Sequence, residues 1–263
     1  MTTRLITSDQ KKQFKRFVED ASDRALKETA LDREGLQRLL GKGGKFQAYV
    51  MAGIRRYTTK VPDYELAKSI LGQDFILPEE IAKARGVFYT GEQLAKFDET
   101  LPAPDALEWC RDNSMMLVAG PPRAMSFLDV RAIKTDFFYP KTAGWYLNKK
   151  QKFSHRDKVE PIWIALRKEP IADSFAKNWG EQNELIAAPM VVPNAAEAVW
   201  GLTTYKAVRD IYLLPNLYVR TSSLDSFGHR VGVGFFDAKG LDVSLWNDDY
   251  RYDRVGLSSA RKF

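Results

Sequence analysis

The spacing of apolar residues changes along this chain, and the change limits the folds that its 263 residues can form. In the first part apolar residues recur every three or four positions, as at Phe14, Phe17 and Ala21, which is the period of an amphipathic helix. Later segments such as "LDVSLW" alternate apolar and polar residues, which is the period of a strand with one buried face. The pattern predicts an α+β protein with a helical region over residues 1–115 and a strand-containing domain over residues 116–263.

Caps and breaks divide the predicted helical region into short helices. Ser8 is the predicted cap of a first helix of about five turns, and Asp32 the cap of a second that runs to Leu40. The glycines of "GKGG" break the chain before a third helix that starts near Phe46. Further helices are predicted in "YELAKSILG", "PEEIAKARG", "TGEQLAKFDET" and "ALEWCRD". The prolines of "LPAPD" predict a connector near the domain boundary.

The second domain is predicted to mix strands and helices. Strands are expected in "SFLDVRAI", "TDFFY" and "PIWIALRK", and helices in "NWGEQNELIA" and "NAAEAVWGLTTYKAV". Four short antiparallel strands are expected near the end, in "NLYVRTSS", "HRVGVGFF", "LDVSLW" and "DRVGLSSAR".

The net charge of +6 is concentrated near the start of the chain. Residues 1–62 contain 14 Lys and Arg against 7 Asp and Glu, whereas the rest is close to neutral. A localised basic surface can meet nucleic acid or an acidic partner. A helix-turn-helix interpretation would place basic side chains on the phosphate backbone, and a solvated helical face is the other interpretation. The side chains concerned are Lys42, Lys45, Arg55, Arg56 and Lys60.

Composition argues against several classes of protein. One cysteine, Cys110, and two histidines are too few for a disulfide framework or a Cys/His zinc cluster, so no metal and no cofactor are expected. The N-terminus lacks the apolar run of a signal peptide, and no stretch is long and apolar enough to span a membrane. We therefore expect a protein that is cytoplasmic or associated with a phage or other particle.

Motifs that would indicate catalysis are weak. "GKGGK" lacks the spacing of a phosphate-binding loop, so a helix break explains it better. His155 and His229 each have a carboxylate or hydroxyl nearby in sequence, but no nucleophile motif accompanies them. "RTSS" at 220–223 resembles the Ser-Thr-Ser strand of ADP-ribosyltransferases over three residues only. We expect no enzyme; an enzyme built around Arg220 is the remaining catalytic hypothesis.

The last 47 residues have an unusual choice of acidic residue. From Leu217 onward there are 6 Asp and no Glu, Gln or Met, whereas the earlier chain has 14 Asp and 14 Glu. Turn chemistry favours Asp and accounts for part of this bias. Asp, Tyr, Phe, His, Asn, Leu and Ser also share a coding property, because substitution of the adenines of an Asn codon (AAC) reaches these residues and excludes Glu, Gln, Lys, Met and Trp.

This ending, with "YVRTSS", "GLD" and "GLSSARKF", resembles uncharacterised bacterial and phage proteins and the C-type-lectin-like variable proteins of diversity-generating retroelements. In that family adenine-directed mutagenesis rewrites a C-terminal stretch that a fixed scaffold displays for binding. The resemblance implies a C-type-lectin-like domain whose variable segment covers about residues 220–262. It departs from the family in lacking Arg-Gly-Gly-Ser-Trp, and Lys239 and Trp246 would have to belong to the scaffold.

The resemblance implies a non-enzymatic display protein that binds a macromolecular ligand, with protein as the expected class. Tyr, Ser, Asn and Asp are also the residues of antibody binding sites. The predicted scaffold side chains are buried: Val231, Val233, Leu241, Val243, Val255 and Leu257. The predicted ligand-binding side chains are exposed on one face: Phe227, His229, Asp242, Ser244, Asn247, Asp248, Asp249, Tyr250 and Tyr252. Three alternatives remain: the tyrosines seal a core edge, the function is nucleic-acid binding by residues 1–62, or the chain is an enzyme built around Arg220.

Overall fold

The chain forms a mixed α+β protein in which a helical N-terminal region precedes the sheets. One sheet curls into a half-barrel in the C-terminal part. The chain divides into two compact units, Met1–Thr58 and Thr59–Phe263. A computed structural model describes residues 7–29, 32–44, 46, 47, 50 and 64–263.

The first unit contains helices α1 (Ser8–Glu28) and α2 (Arg33–Gly41). Thr7 and Gln10 cap α1 reciprocally, because each side chain accepts a hydrogen bond from the other residue's backbone N–H. The cap is therefore Thr7, and the predicted Ser8 is the first helical residue instead.

The second helix begins and ends as predicted. The Asp32 carboxylate accepts a hydrogen bond from the Gly35 N–H at 2.6 Å, which confirms its role as the cap. The helix ends at Gly41, so "GKGG" breaks it. The predicted third helix, from Phe46, falls almost entirely outside the described residues.

The second unit carries eight described α-helices, and the predicted helices at 64–72, 78–86, 90–100 and 106–112 are confirmed. Pro78 and Pro104 each start a helix, where a missing N–H costs nothing. Their bounds are α3 (Tyr64–Leu71), α4 (Pro78–Arg85), α5 (Gly91–Glu99), α6 (Pro104–Asp112), α7 (Phe127–Ile133), α8 (Lys152–Arg156), α9 (Trp179–Asn183) and α10 (Ala195–Arg209).

Three sheets contain the eleven strands of the described chain. The strands are β1 (Phe75–Ile76), β2 (Met115–Ala119), β3 (Met125–Ser126), β4 (Phe138–Tyr139), β5 (Lys158–Val159), β6 (Trp163–Arg167), β7 (Tyr218–Leu224), β8 (Arg230–Asp237), β9 (Gly240–Trp246), β10 (Val255–Leu257) and β11 (Ala260–Lys262). A four-stranded sheet has the order β1-β2-β6-β11, the five-stranded half-barrel has the order β10-β7-β8-β9-β4, and β3 pairs with β5. Strands β7, β8 and β9 are antiparallel, as predicted.

The compact units divide after Thr58, whereas the predicted boundary lies at residue 115. Ile81 and Phe97 lie in the same hydrophobic core as strands β2 and β6. The Trp163 indole N–H also donates a hydrogen bond to the Phe97 carbonyl at 2.9 Å. Helices α3–α6 therefore belong with the sheets, and the prolines of 101–105 lead into α6 rather than between domains.

Residues 127–133 were predicted as part of a strand, and this prediction is wrong. Ser126 and Asp129 cap α7 reciprocally: the Asp129 N–H donates to the Ser126 hydroxyl at 3.2 Å, and the Ser126 N–H donates to the Asp129 carboxylate at 2.9 Å. Phe127 and Val130, three residues apart, are then buried on one helical face. The cap and this spacing override the strand preference of the β-branched residues.

The segment "DRVGLSSAR" was predicted as one strand and forms two. Strand β10 runs parallel to β7 in the half-barrel, and β11 runs antiparallel to β6 in the other sheet. The change of sheet occurs at Ser258 and Ser259, which are buried. The end of the chain therefore joins the two larger sheets.

Among the described residues, no helix has the length and apolar character needed to cross a membrane.

Candidate binding surface

The two faces of the half-barrel have different side chains. On the inner face, Val219, Val233 and Val243 lie side by side on β7, β8 and β9. The predicted scaffold is confirmed as buried, because at most 3 % of each of its side chains is exposed. Its members are Val231, Val233, Leu241, Val243, Val255 and Leu257.

The outer face has glycine in the middle strand. Gly234 lies between Tyr218 and Asp242, whose side chains share a hydrogen bond across it with the tyrosine hydroxyl as donor. Burial, followed by this bond to a carboxylate, raises the pKa of Tyr218. Gly232 is covered by the Trp246 ring, since a Cβ added to this glycine would lie 2.5 Å from the indole. Because glycine has no side chain, Gly232 and Gly234 leave space on the outer face for the larger side chains of neighbouring residues to lie over β8.

Aromatic side chains form a continuous cluster from this face to the loop 247–254. The Trp246 ring centroid lies 5.2 Å from that of Tyr218 and 4.6 Å from that of Tyr252. Tyr250 follows at 6.1 Å from Tyr252. Tyr218 also packs on Phe235 at 4.8 Å. We call these five residues the aromatic cluster.

The nine predicted ligand-binding residues differ in exposure, and none of them is buried. Phe227 and Tyr250 are 81 % and 61 % exposed, and Asp249 is also exposed. The other six are half-buried: His229, Asp242, Ser244, Asn247, Asp248 and Tyr252.

The structure distributes these nine residues over three adjoining parts of the half-barrel. Asp242 and Ser244 lie on the outer face of β9, in the rows that contain Gly234 and Gly232. Phe227 and His229 lie at the β7–β8 turn, with their ring centroids 6.4 Å apart. The remaining five lie in the loop 247–254: Asn247, Asp248, Asp249, Tyr250 and Tyr252.

A buried arginine holds the backbone of this loop. The Arg220 guanidinium donates hydrogen bonds to the carbonyls of Asn247 at 3.1 Å and Tyr250 at 2.8 Å. It also donates to the Lys177 carbonyl at 3.1 Å and the Gln182 amide oxygen at 2.8 Å. Burial lowers the pKa of Arg220, and the nearby Asp248 carboxylate opposes that shift. All four acceptors are neutral, so the bonds with loop carbonyls do not depend on which side chains the loop carries.

Backbone hydrogen bonds fix the same loop at three further points. The N–H of Trp179 donates to the Asp248 carbonyl at 2.9 Å, and the N–H of Ala176 donates to the Tyr252 carbonyl at 3.1 Å. The N–H of Tyr218 donates to the Arg254 carbonyl at 2.9 Å. These bonds also involve no side chain of the loop.

Two ion pairs connect side chains of the loop to residues outside it. Arg230 lies 3.3 Å from the Asp248 carboxylate and stacks over the Trp179 ring at 4.0 Å from its centroid. Arg251 lies 2.6 Å from Glu181. The Arg230–Asp248 pair is half-buried and the Arg251–Glu181 pair is more exposed. The Asp248 pair therefore contributes more to the stability of the loop than the Arg251 pair does.

Arg220, Trp179 and Gln182 were not among the predicted site residues. Arg220 was considered only as part of a catalytic hypothesis, because its sequence neighbours are hydroxyl residues. Its contacts come from residues 27 to 43 positions away, which no local pattern indicates. The even spacing of Gly232 and Gly234 on β8 is the sequence feature that marks the outer face.

Two hydroxyl side chains next to Arg220, those of Thr221 and Ser223, form hydrogen bonds within the fold. The Thr221 hydroxyl donates to the Val231 carbonyl at 2.7 Å, and the Ser223 hydroxyl donates to Asp157. The His229 Nδ1 lies 3.5 Å from the Asp225 carboxylate, whose other oxygen accepts the His229 N–H at 2.8 Å. His155 is exposed on α8.

The part of the chain that the structure describes holds no group of three His, Cys, Asp or Glu side chains placed to bind a metal ion. Of the five basic residues of the helix-turn-helix interpretation, Lys42 follows α2. Lys45, Arg55, Arg56 and Lys60 lie outside the described residues.

Comparisons with protein-family models, with curated proteins and with solved structures found no match to this chain.

Proposed function

We propose that the chain is a non-enzymatic binding protein whose C-terminal segment displays a replaceable surface to a macromolecular ligand. One observation carries this proposal: the backbone of loop 247–254 is held by Arg220 and by main-chain hydrogen bonds, while Asp249 and Tyr250 project into solvent. Side chains at such positions can be exchanged without loss of the contacts that shape the loop. With Phe227 at the β7–β8 turn, we call these three positions the display positions.

The proposed ligand is a protein. Tyrosine provides a large, rigid contact area at low entropic cost, and Asp, Asn and Ser adapt their hydrogen bonds to the partner. Tyr250 and Tyr252 provide such area beside Asn247 and Asp249. No ordered cofactor or metal is needed for binding of this kind.

We further propose that the domain is C-type-lectin-like and that the protein is a variable protein of a diversity-generating retroelement. The support is the acid bias of the last 47 residues together with the place of Trp246. A Trp codon lies outside the adenine-derived set, and the Trp246 ring covers Gly232 within the sheet, as a fixed residue would. Lys239, which also lies outside the set, is exposed in the β8–β9 turn.

The genomic locus tests the retroelement. We expect a reverse-transcriptase gene nearby and a near-copy of the codons for about residues 220–262 that differs chiefly at adenines. An intact locus with neither would contradict diversification. The proposal that the surface binds a ligand would then still hold for a surface of fixed sequence.

A display library tests binding itself. The three display positions, 227, 249 and 250, are randomised on the full chain and selected against a panel such as lysozyme and streptavidin. A control library randomises three exposed positions of the same unit that lie outside the proposed binding surface: Phe88, Glu92 and Lys96. We expect binders from the first library at micromolar affinity or better, and none from the control. Well-folded members of the first library that never yield a binder would contradict the proposal.

Nucleic-acid binding by residues 1–62 remains the alternative function, and it predicts a different response to salt. Phosphate contacts lose affinity steeply as salt rises, whereas a tyrosine-rich protein interface responds weakly. Titration of a mixed-sequence oligonucleotide at two salt concentrations separates the two functions.

A further inference from the structure

Helix α1 is long and has no buried residue. It runs for 21 residues, and five of its apolar side chains share one face, at positions 14, 17, 18, 21 and 25, whereas Leu26 lies to the side of that face. Phe17 is 66 % exposed and Phe14 43 %. Helices in proteins take most of their stability from burial of such a face. A partner that covers this stripe would supply the stabilisation that the described residues do not.

Charge is distributed unevenly along the same helix. Residues 8–18 contain four Lys and Arg against one Asp, whereas residues 19–28 contain four Asp and Glu against two basic residues. Two copies of α1 in parallel would bring like charges together. An antiparallel pair brings the basic half of one copy beside the acidic half of the other and also opposes the helix dipoles favourably.

Side-chain size follows the same asymmetry. The large residues Phe14 and Phe17 lie in the first half of the stripe, and the small residues Ala21 and Ala25 lie in the second. An antiparallel register that puts Phe14 opposite Ala25 also puts Val18 opposite Ala21. Large then meets small along the seam, as close packing requires. A parallel pair would instead set Phe against Phe and Ala against Ala.

We propose that α1 pairs antiparallel with α1 of a second copy of this chain. This inference does not depend on the proposed function, because it rests on the first unit alone. A dimer formed in this way would carry two copies of the C-terminal surface, which raises the avidity for any ligand with repeated sites.

Sedimentation equilibrium of the full chain tests the pairing. We expect a dimer, and we expect Phe14→Ser with Phe17→Ser to raise the dimer dissociation constant at least about a hundredfold. Phe88→Ser is the matched control, since Phe88 is an exposed aromatic residue of the second unit, and it should leave the constant unchanged. Two results would overturn the proposal. One is a chain that stays monomeric at a concentration of about 100 μM, well above the dissociation constants of most specific dimers; the other is a dimer that the double variant does not weaken.

Cross-linking tests the orientation. In the antiparallel register Cys residues at Ala21→Cys lie about 4.5 Å apart along the axis, whereas those at Ala25→Cys lie about 16 Å apart. A short bismaleimide should therefore link the first variant and not the second. The native Cys110 is buried and serves as an internal check on folding. Linking of both variants would show a parallel pair and contradict the antiparallel arrangement.

The same protein samples also test whether nucleic acid, rather than a second copy of the chain, binds α1. A monomer that binds a mixed-sequence oligonucleotide through the first half of α1, with steep loss of affinity in salt, would assign the helix to nucleic acid and overturn self-pairing.

Discussion

Arg220 is a buried cation whose hydrogen bonds compensate for its burial. Four carbonyl or amide oxygens accept from its two terminal nitrogens, and Asp248 is the nearby carboxylate that favours its charged form. Two of those acceptors are loop carbonyls. A side chain of β7 thus holds the backbone of residues 247–250 through the carbonyls of Asn247 and Tyr250.

Arg220→Met tests this role. Methionine fills similar volume but donates no hydrogen bond, so one buried and three part-buried acceptors lose their partner, and we expect a loss of about 2–4 kcal/mol of stability. Hydrogen exchange should also quicken at the amides of Ala176 and Trp179, which donate to loop carbonyls. Arg251→Met, at an exposed ion pair, should cost less than about 1 kcal/mol. Unchanged exchange at both amides would show that Arg220 does not hold the loop.

The two loop tyrosines should respond differently to replacement by serine. Tyr250 is exposed and contributes mainly its carbonyl to the fold, so Tyr250→Ser should change stability by about 0.5 kcal/mol or less. Tyr252 is half-buried against Trp246 and lies 5.7 Å from the Arg220 guanidinium, so Tyr252→Ser should cost about 1–3 kcal/mol. Urea denaturation of the two variants compares them. A loss of about 1–3 kcal/mol in both variants would place both tyrosines in the core, which is the alternative that the sequence left open.

At the scale of elements, β7 and β8 approach closely at Gly234. A Cβ added there would lie 2.0 Å from the Leu217 carbonyl oxygen and 2.7 Å from the Tyr218 Cα. Both are backbone atoms, which no side-chain rotation can move away. The glycine is therefore required by the strand pairing that brings Tyr218 opposite Asp242.

Gly234→Ala is expected to destabilise the half-barrel by about 1–3 kcal/mol, because the two strands must separate to admit the methyl group. Gly91→Ala is the matched control, since nothing lies within 4 Å of its added Cβ. Thermal unfolding of the two variants gives the comparison. A Gly234→Ala variant as stable as the control would show that the strands separate at little cost.

The spacing of apolar residues was sufficient to predict most helices and strands. It failed where a helix cap or a pairing with a distant strand determines which element forms. Strand β9 and helix α10 lie where the residue patterns of "LDVSLW" and "NAAEAVWGLTTYKAV" predict them. Residues 127–133 became a helix because Ser126 and Asp129 cap it. The division of residues 255–262 between two sheets depends on pairing with β7 and β6, which a local pattern does not encode. The Arg220 contacts were missed for the same reason.

At the scale of the whole molecule, the second unit is held by one hydrophobic core that contains residues from α3 to β11. Cys110 on α6 belongs to it, and burial raises the pKa of its thiol to about 11. At pH 8 only about one thiol in a thousand is then ionised. The thiol therefore reports on opening of this core.

We expect the native chain to react with a disulfide reagent such as DTNB far more slowly than the chain in urea, with the reaction rate set by opening of the core. The Tyr252→Ser variant, in the same unit but outside this core cluster, should speed the reaction in proportion to its loss of stability if the unit opens as a whole. Fast labelling of the native chain would show instead that α6 opens separately.

The central claim is that a fixed backbone carries replaceable side chains, and thermal unfolding of two variant panels tests it most directly. One panel varies the display positions 227, 249 and 250, and the other varies the scaffold residues Val231, Val243 and Leu257. The first panel should unfold cooperatively within about 4 °C of the parent, since exposed positions seldom change stability by more than about 0.5 kcal/mol. The second panel should lose about 2–5 kcal/mol for each large buried residue truncated to alanine. A first panel that loses cooperative unfolding would contradict the account, because the display positions would then be part of the fold.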